Sequence, residues 1–346
     1  MYTNFNINYK HKLPTPEELK NEIPVSAELV QKKEIRDKEI ADVIRGKSKK
    51  LLMIIGPCSA DREDSVLDYV QRLARIQEHV KDKIIIIPRV YTCKPRTIGI
   101  GYKGLMHQPD SHEVPDISKG LKAMRMLHKQ VIEESGLFCA DEMLYPQNHR
   151  YLADLLAYVA VGARSVENQE HRFVASGLGI PVGMKNPTSG DLSVMLNSIK
   201  AAQSQHIFLY CGWEVESNGN DMAHAVLRGG VDKYGKNHAN YHYEDLILLY
   251  ENYCNKDYKY PAVIVDANHS NSSKKYLEQP RIVNEVLAMM NYSGDIKKMI
   301  KGFMVESYIE DGCQKIESGV YGKSITDPCL GWEKTERFIF SVADQI

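Results

Sequence analysis

Short runs of apolar, mostly β-branched residues alternate with longer stretches of helical spacing through most of this chain, and that alternation restricts the fold more than any other feature. The runs are Leu51–Ile55, Ile84–Val90, Leu137–Ala140, Val159–Ala163, Val182–Lys185, Ile207–Cys211, Ala262–Val265 and Gly302–Val305. Segments such as Ser65–Val80, Ile117–Ser135 and Asp191–Gln203 lie between them and carry helix-period apolar positions. Strands alternating with helices imply βα units and a parallel sheet. Strands that are apolar nearly throughout imply burial of both faces. Eight such units are the number needed for an α/β TIM (β/α)8 barrel. An open doubly wound sheet is the alternative, because periodicity alone does not show closure.

Residues 1–48 differ in character. They are polar, hold Pro14, Pro16 and Pro24, and then turn helix-like, with Ser26 as the expected N-cap and Gly46 as the expected stop. The expected division is an N-terminal extension over 1–48 and a catalytic barrel over 49–346. The extension's helix carries Leu29, Val30, Ile35, Ile40, Val43 and Ile44, an apolar set that needs a surface to cover. Covering the bottom of the barrel is one such role.

A net charge of −1 gives no reason to expect a nucleic-acid or membrane-surface partner. No apolar run approaches the ~18 residues needed to span a bilayer. The start, MYTNFNINYKHKLP, lacks a signal-peptide core, and the seven cysteines are scattered without a CxxC pair. A cytoplasmic location is expected.

Barrel chemistry collects at the C-terminal ends of the strands. Here those ends carry Cys58, Arg89, Glu142, Arg164, Lys185, His269 and Glu306, with Arg228 and Asp327 in later loops. Strands seven, eight and one are neighbours in a closed barrel, so Cys58, His269, Glu306 and Asp327 should converge on one sector. A thiolate, an imidazole and two carboxylates suit a divalent transition metal. Taken singly, Cys58 also reads as a small buried residue and His269 as an ordinary loop histidine. Arg89, Arg164, Lys185 and Arg228, extended by Lys94 and Arg96, are expected across the mouth from that sector. Lone cations are usually solvated; gathered at strand ends they suit phosphate and carboxylate. The GxGxxG in TIGIGYKG does not open a helix after a strand, which rejects a dinucleotide reading.

The motifs that carry these residues are IIGPCS (54–59), PRVYTCKPRT (88–97), GARSVENQEHR (162–172), PVGMKN (181–186), LRGG (227–230), HSNSSK (269–274), MVES (304–307) and YGKSITDPCLGW (321–332). With them the chain resembles the type I 3-deoxy-D-arabino-heptulosonate 7-phosphate (DAHP) synthases, in the single-chain microbial subgroup, from about residue 25 to its end. The resemblance implies a TIM barrel with an N-terminal extension. It implies condensation of phosphoenolpyruvate with erythrose 4-phosphate and water, the first step of the shikimate pathway. The implied ligands of one divalent metal (Mn, Co, Fe or Zn) are Cys58, His269, Glu306 and Asp327. Phosphoenolpyruvate would be held by Arg89, Lys94, Glu142, Arg164, Lys185 and Arg228, and erythrose 4-phosphate through Pro95, Arg96 and Thr97. Lys94 is the candidate proton donor, with Asp327 or His269 as alternative relays. A homodimer or homotetramer is implied. So is an aromatic amino-acid effector in a pocket formed by the extension and residues near Arg150, Val174, Leu178 and Gly179.

Four segments depart from the family pattern. DANHS stands where DFSHA is usual, DEMLY for GEFLD, and KNPTSG for KNGTDG, and Cys211–Asn220 is short. The same chemistry on arabinose 5-phosphate, in the manner of 3-deoxy-octulosonate 8-phosphate synthases, is the nearest alternative; KPRT argues against it. A sugar-phosphate aldolase without phosphoenolpyruvate would need fewer anion contacts. A barrel without activity, serving as a regulatory partner, is the non-enzymatic alternative.

Overall fold

The computed structural model describes residues 6–96, 99, 101–110 and 112–346. Two helices come first. α1 (Pro16–Glu22) starts in a capping box between Thr15 and Glu18. α2 (Ala27–Ile44) is capped by Ser26, whose hydroxyl accepts from the Leu29 amide at 3.3 Å. It stops where Gly46 takes a left-handed φ of 74°. Leu29, Ile40, Val43 and Ile44 are buried, whereas Val30 and Ile35 of the expected apolar set face outward. Arg45 grips Asp221 through two contacts of 2.9 Å, just before the sixth barrel strand. α2 also packs on β1 (Leu51–Gly56) and on β4 (Leu156–Val161). The extension thus lies across the N-terminal ends of the strands, the end away from the catalytic loops.

The remaining elements follow βα order. They are α3 (Glu63–Val80), β2 (Ile84–Pro88), α4 (Ile117–Ser135), β3 (Cys139–Glu142), then β4, α5 (Gln169–Ser176), β5 (Val182–Lys185) and α6 (Leu192–Ala202). Next come β6 (His206–Tyr210), β7 (Trp213–Ser217), β8 (Ala223–Leu227), β9 (Gly230–Val231) and β10 (Asn237–His238). The chain ends with α7 (Tyr243–Cys254), β11 (Val263–Asp266), α8 (Gln279–Tyr292), α9 (Gly294–Met299), β12 (Ile300–Glu306) and α10 (Trp332–Gln345). Eight strands pair in parallel in the order β2-β1-β12-β11-β8-β5-β4-β3. The two ends meet at a parallel bridge between Arg89 and Ala140, where the Val90 amide donates to the Ala140 carbonyl at 3.0 Å. This closes a TIM (β/α)8 barrel. The seam is stitched further by Asp141, whose carboxylate accepts from the Thr92 amide at 3.0 Å and its hydroxyl at 2.5 Å. Among the described residues no helix is long and apolar enough to cross a membrane.

One strand lies elsewhere than expected. Ile207–Cys211 falls largely on β6, which pairs antiparallel with β7 in a hairpin outside the barrel and alternates between half-buried and exposed positions. The sixth barrel strand is β8, buried along its whole length between β5 and β11. Its sequence, AHAVL, conceals it, because His224 breaks the apolar run.

His224 points into a polar contact inside the barrel. Its Nδ1 lies 2.8 Å from the Met222 carbonyl and so carries the proton; its Nε2 accepts from the Tyr158 hydroxyl at 2.9 Å. Gly183 on β5 makes room, since a Cβ there would come within 2.0 Å of that hydroxyl. Burial pushes the imidazole from its ordinary 6.5 down to about 4. The folded state then binds fewer protons than the unfolded chain between those values. Its contribution to stability is present above pH 6.5 and is lost as the pH falls through about 4. That amounts to about 3 kcal/mol. Urea unfolding across pH 4–7 should show the loss, and His224→Gln should flatten it; an unaltered pH profile in the variant would rule the assignment out.

Candidate active site

Each proposed site residue sits where a strand hands over to its loop. Cys58 lies two residues beyond β1, Arg89 one beyond β2, and Glu142 and Lys185 end β3 and β5. Arg228 directly follows β8, closer to a strand end than expected; Glu306 ends β12. Arg164, His269 and Asp327 come from the loops after β4, β11 and β12. With Lys94, Pro95 and Arg96, these residues line one cavity of about 310 Å³. Thr97 lies outside the described residues.

Ligand atoms of Cys58, Glu306 and Asp327 all lie within 4.8 Å of one another. Cys58 Sγ stands 3.4 Å from Asp327 Oδ2, and His269 Nε2 is 3.8 Å from Glu306 Oε1. The second carboxylate oxygen of Glu306 accepts from the side-chain amide of Asn268. His269 adopts φ 49°, a left-handed conformation that costs a non-glycine residue energy and marks functional sites. Its Nδ1 is 2.9 Å from Asp266 Oδ2, which turns Nε2 toward Glu306. Burial works against ionisation of Glu306, but Arg89 and His269 hold its carboxyl below the usual range. Burial pushes the Cys58 thiol up to about 11. Even with the Lys94 ammonium close by, such a thiol ionises near neutral pH only when a metal cation binds the sulfur.

The expected separation of cations from metal ligands does not hold for Arg89 and Lys94. Arg89 Nη2 lies 3.0 Å from Glu306 Oε1, both side chains being buried. Lys94 Nζ is 2.6 Å from Cys58 Sγ and 3.1 Å from Asp327 Oδ2. The strand order explains this: β2 neighbours β1, which neighbours β12, so groups after β2 fall beside those of β1 and β12. Burial disfavours the Lys94 charge, yet Cys58, Asp327 and Glu306 outweigh it and raise its pKa.

Lys185 Nζ lies 3.3 Å from Asp266 Oδ2, the carboxylate that also faces His269, and the Arg89 guanidinium stands 4.2 Å over the Tyr91 ring. Gly162 leaves space for Glu142, whose Oε1 would sit 2.2 Å from any Cβ there. Among the described residues, Arg89 Nε and Nη1 and Arg228 Nη1 are buried without a hydrogen-bond partner. Guanidinium donors held this way call for an anionic acceptor.

Three contributors escape a reading by residue type. Asp266 ends the apolar run VIVD, and its position three residues before His269 is the only signal. Lys274, 2.9 Å from Asp327 Oδ1, sits in a polar loop. Tyr91 reads as core.

A family model described as the DAHP synthetase I family matches residues 22–339. The chain belongs to that family. It is 36% identical to the Tyr-sensitive phospho-2-dehydro-3-deoxyheptonate aldolase of Escherichia coli (strain K12), over 97% of this chain and 94% of that one. It is 38% identical to the Phe-sensitive enzyme of the same strain, over 89% and 87%. A solved structure of the phospho-2-dehydro-3-deoxyheptonate aldolase of Francisella tularensis SCHU S4 superposes with a TM-score of 0.91 at 32% identity, covering 99% of this chain and 98% of that one. As a DAHP synthase the chain condenses phosphoenolpyruvate with erythrose 4-phosphate and water, releasing phosphate. It is a metal-dependent transferase of the aldol type.

Proposed function

We propose that phosphoenolpyruvate takes the arginine-lined part of the cavity, with Arg89 and Lys94 reaching it from beside the metal ligands, and that erythrose 4-phosphate takes the part nearer Pro95 and Arg96. The unpaired buried donors of Arg89 and Arg228 carry this reading. Phosphoenolpyruvate, with a carboxylate and a phosphate, is the partner they fit, with Arg164, Lys185 and Lys94 completing its anion contacts and Glu142 bounding the pocket. A divalent metal held by Cys58, His269, Glu306 and Asp327 would supply Lewis acidity toward the aldehyde oxygen. The donor set suits Mn²⁺, Co²⁺, Fe²⁺ or Zn²⁺.

The chain's own groups then do the following. Pro95 and Arg96, with Thr97, hold the phosphate end of erythrose 4-phosphate, turning its carbonyl carbon toward C3 of phosphoenolpyruvate. Lys94, among Cys58 and Asp327, gives its proton to the aldehyde oxygen as the C–C bond forms; Asp327 or His269 is the alternative relay. Water adds at C2. Arg164, Lys185 and Arg228 stabilise the phosphate as its C–O bond breaks.

The two substrate assignments separate kinetically. Arg96→Ala should raise KM for erythrose 4-phosphate at least about tenfold with little change for phosphoenolpyruvate, since a charge-assisted contact contributes about 1.5–3 kcal/mol. Lys185→Ala should do the reverse and lower kcat as well. Equal effects of Arg96→Ala on both KM values would refute the division.

The regulatory reading rests on a second cavity, of about 500 Å³, lined by Arg150, Val174, Leu178 and Gly179, by Lys33 and Asp37 of α2, and by Phe208 and Tyr210. Acidic and basic groups face an apolar wall there, which suits a zwitterion with an aromatic side chain. The curated relatives include Tyr-, Trp- and Phe-sensitive enzymes at 36%, 35% and 38% identity, so identity does not choose among effectors. Titration with each aromatic amino acid should find one that inhibits, and Arg150→Ala, in the wall of the cavity, should weaken the response. Inhibition by none of the three would leave the extension structural. The β6–β7 hairpin exposes Ile207, Leu209 and Trp213, an apolar face that favours a homodimer or homotetramer. Sedimentation at the 39.3 kDa of a single chain would refute that. Seven free thiols favour the cytoplasm, which cell fractionation would test.

A further inference from the structure

A cavity of about 540 Å³ opens at the far end of the barrel from the catalytic residues, between the 46–50 linker, the C-terminal part of α8, α9 and the start of β12. Its walls combine two chemistries. Leu51, Leu287 and Met290 present apolar surface, while Lys49, Lys297 and Lys301 bring ammonium groups. Its lining holds no Asp or Glu; its one carboxylate is the terminal group of Ile346.

Lys301 is the unusual member. Only 9% of it is exposed, yet no carboxylate pairs with it among the described residues. Its ammonium, which has three protons to donate, gives one to the Lys298 carbonyl at 2.6 Å. Burial alone holds its pKa below that of an ordinary lysine. A buried cation of this kind is stabilised by an anion brought to it.

The contrast with the Arg150 cavity narrows the ligand. That cavity offers Asp37 and Glu216 to an ammonium group; this one sets five lysines against the single terminal carboxylate of Ile346, a balance that favours an anion over a zwitterion. Its volume falls within the range of small-molecule sites, roughly 300–1,000 Å³.

We propose that this cavity binds a small amphipathic anion, a carboxylate or phosphate carried on an apolar body and lacking an amine. The site is independent of the catalytic assignments.

Isothermal titration of the full, metal-loaded chain with octanoate tests it, with octanol, octylamine and inorganic phosphate as separate arms. Octanoate should bind at one equivalent per chain, more tightly than any of the other three. Lys301→Met should weaken it at least about tenfold, the loss expected for a charge-assisted contact. Lys297→Glu, on an exposed position, should weaken it too and puts no buried group at risk. Binding that neither variant changes would overturn the proposal, as would equal binding of octanol or octylamine. Phosphate binding as tightly as octanoate would remove the apolar body from the recognition. Octanoate binding that disappears as the protein self-associates would give the cavity to a second copy of the chain instead.

Discussion

Cys58→Ala should remove bound metal and catalysis together, lowering kcat about a thousandfold or more while leaving the barrel folded. The size follows from charge stabilisation worth several kcal/mol at the aldehyde oxygen, each 1.36 kcal/mol being a factor of about ten. The buried Cys58 thiol lies beside Lys94 and Asp327, and its loss takes one corner from the Cys58, Glu306 and Asp327 group. Elemental analysis should find the wild type loaded and the variant empty, with unchanged far-ultraviolet circular dichroism. The thiol's pKa of about 11 adds a second readout. Binding must displace its proton, so apparent metal affinity should rise with pH, by about tenfold per unit for one proton. Chelator should inactivate the wild type reversibly, with Mn²⁺, Co²⁺, Fe²⁺ and Zn²⁺ restoring activity to different extents. Full activity in excess chelator would end the metal assignment.

Arg89→Leu should be the most destabilising single change at the site, by about 3–5 kcal/mol in metal-free protein. It leaves Glu306, a fully buried carboxylate, without the guanidinium 3.0 Å away. Breaking a buried pair costs far more than the pair's own net contribution, because the surviving charge has no water to turn to. Mn²⁺ should recover part of the loss, since a second cation can face Glu306 from the cavity. Arg89→Lys should fall between, keeping charge but not the planar fork. Equilibrium unfolding in urea with and without chelator measures both effects. A midpoint in chelator that does not move would show that Glu306 does not depend on Arg89.

The chain discloses its barrel because βα alternation and near-continuous apolar strands are local properties. Strand-end residues could likewise be named from sequence, and the structure gathers Cys58, Arg89, Glu142, Lys185, Arg228 and Glu306 at one cavity. What escaped depends on neighbours distant in the chain. The Arg89–Glu306 pair joins positions 217 apart, and only strand order shows that the ends of β2 and β12 lie on the same side of the mouth. The sixth strand was hidden for a related reason. His224 looks wrong for a buried strand until Tyr158 and the space above Gly183 are in place. The β6–β7 hairpin has the alternation of a respectable strand but pairs outside the barrel. Asp266 and Lys274 serve other side chains, and residue type says nothing about that.

The seam between β2 and β3 makes the wall of the barrel uneven. Elsewhere neighbouring strands are held by runs of backbone pairs; here a single bridge at Arg89 and Ala140 and the Asp141–Thr92 stitch do the holding. A cylinder slit along one side flexes at the slit, and local opening begins where backbone pairing is thinnest. The loop carrying Lys94, Pro95 and Arg96 springs from the lip of that slit. The thinnest pairing in the wall and the substrate loop are therefore neighbours, and an opening of one displaces the base of the other. In a family where GEFLD is usual, the Asp141 of DEMLY clasps the two lips of the slit together through the amide and hydroxyl of Thr92.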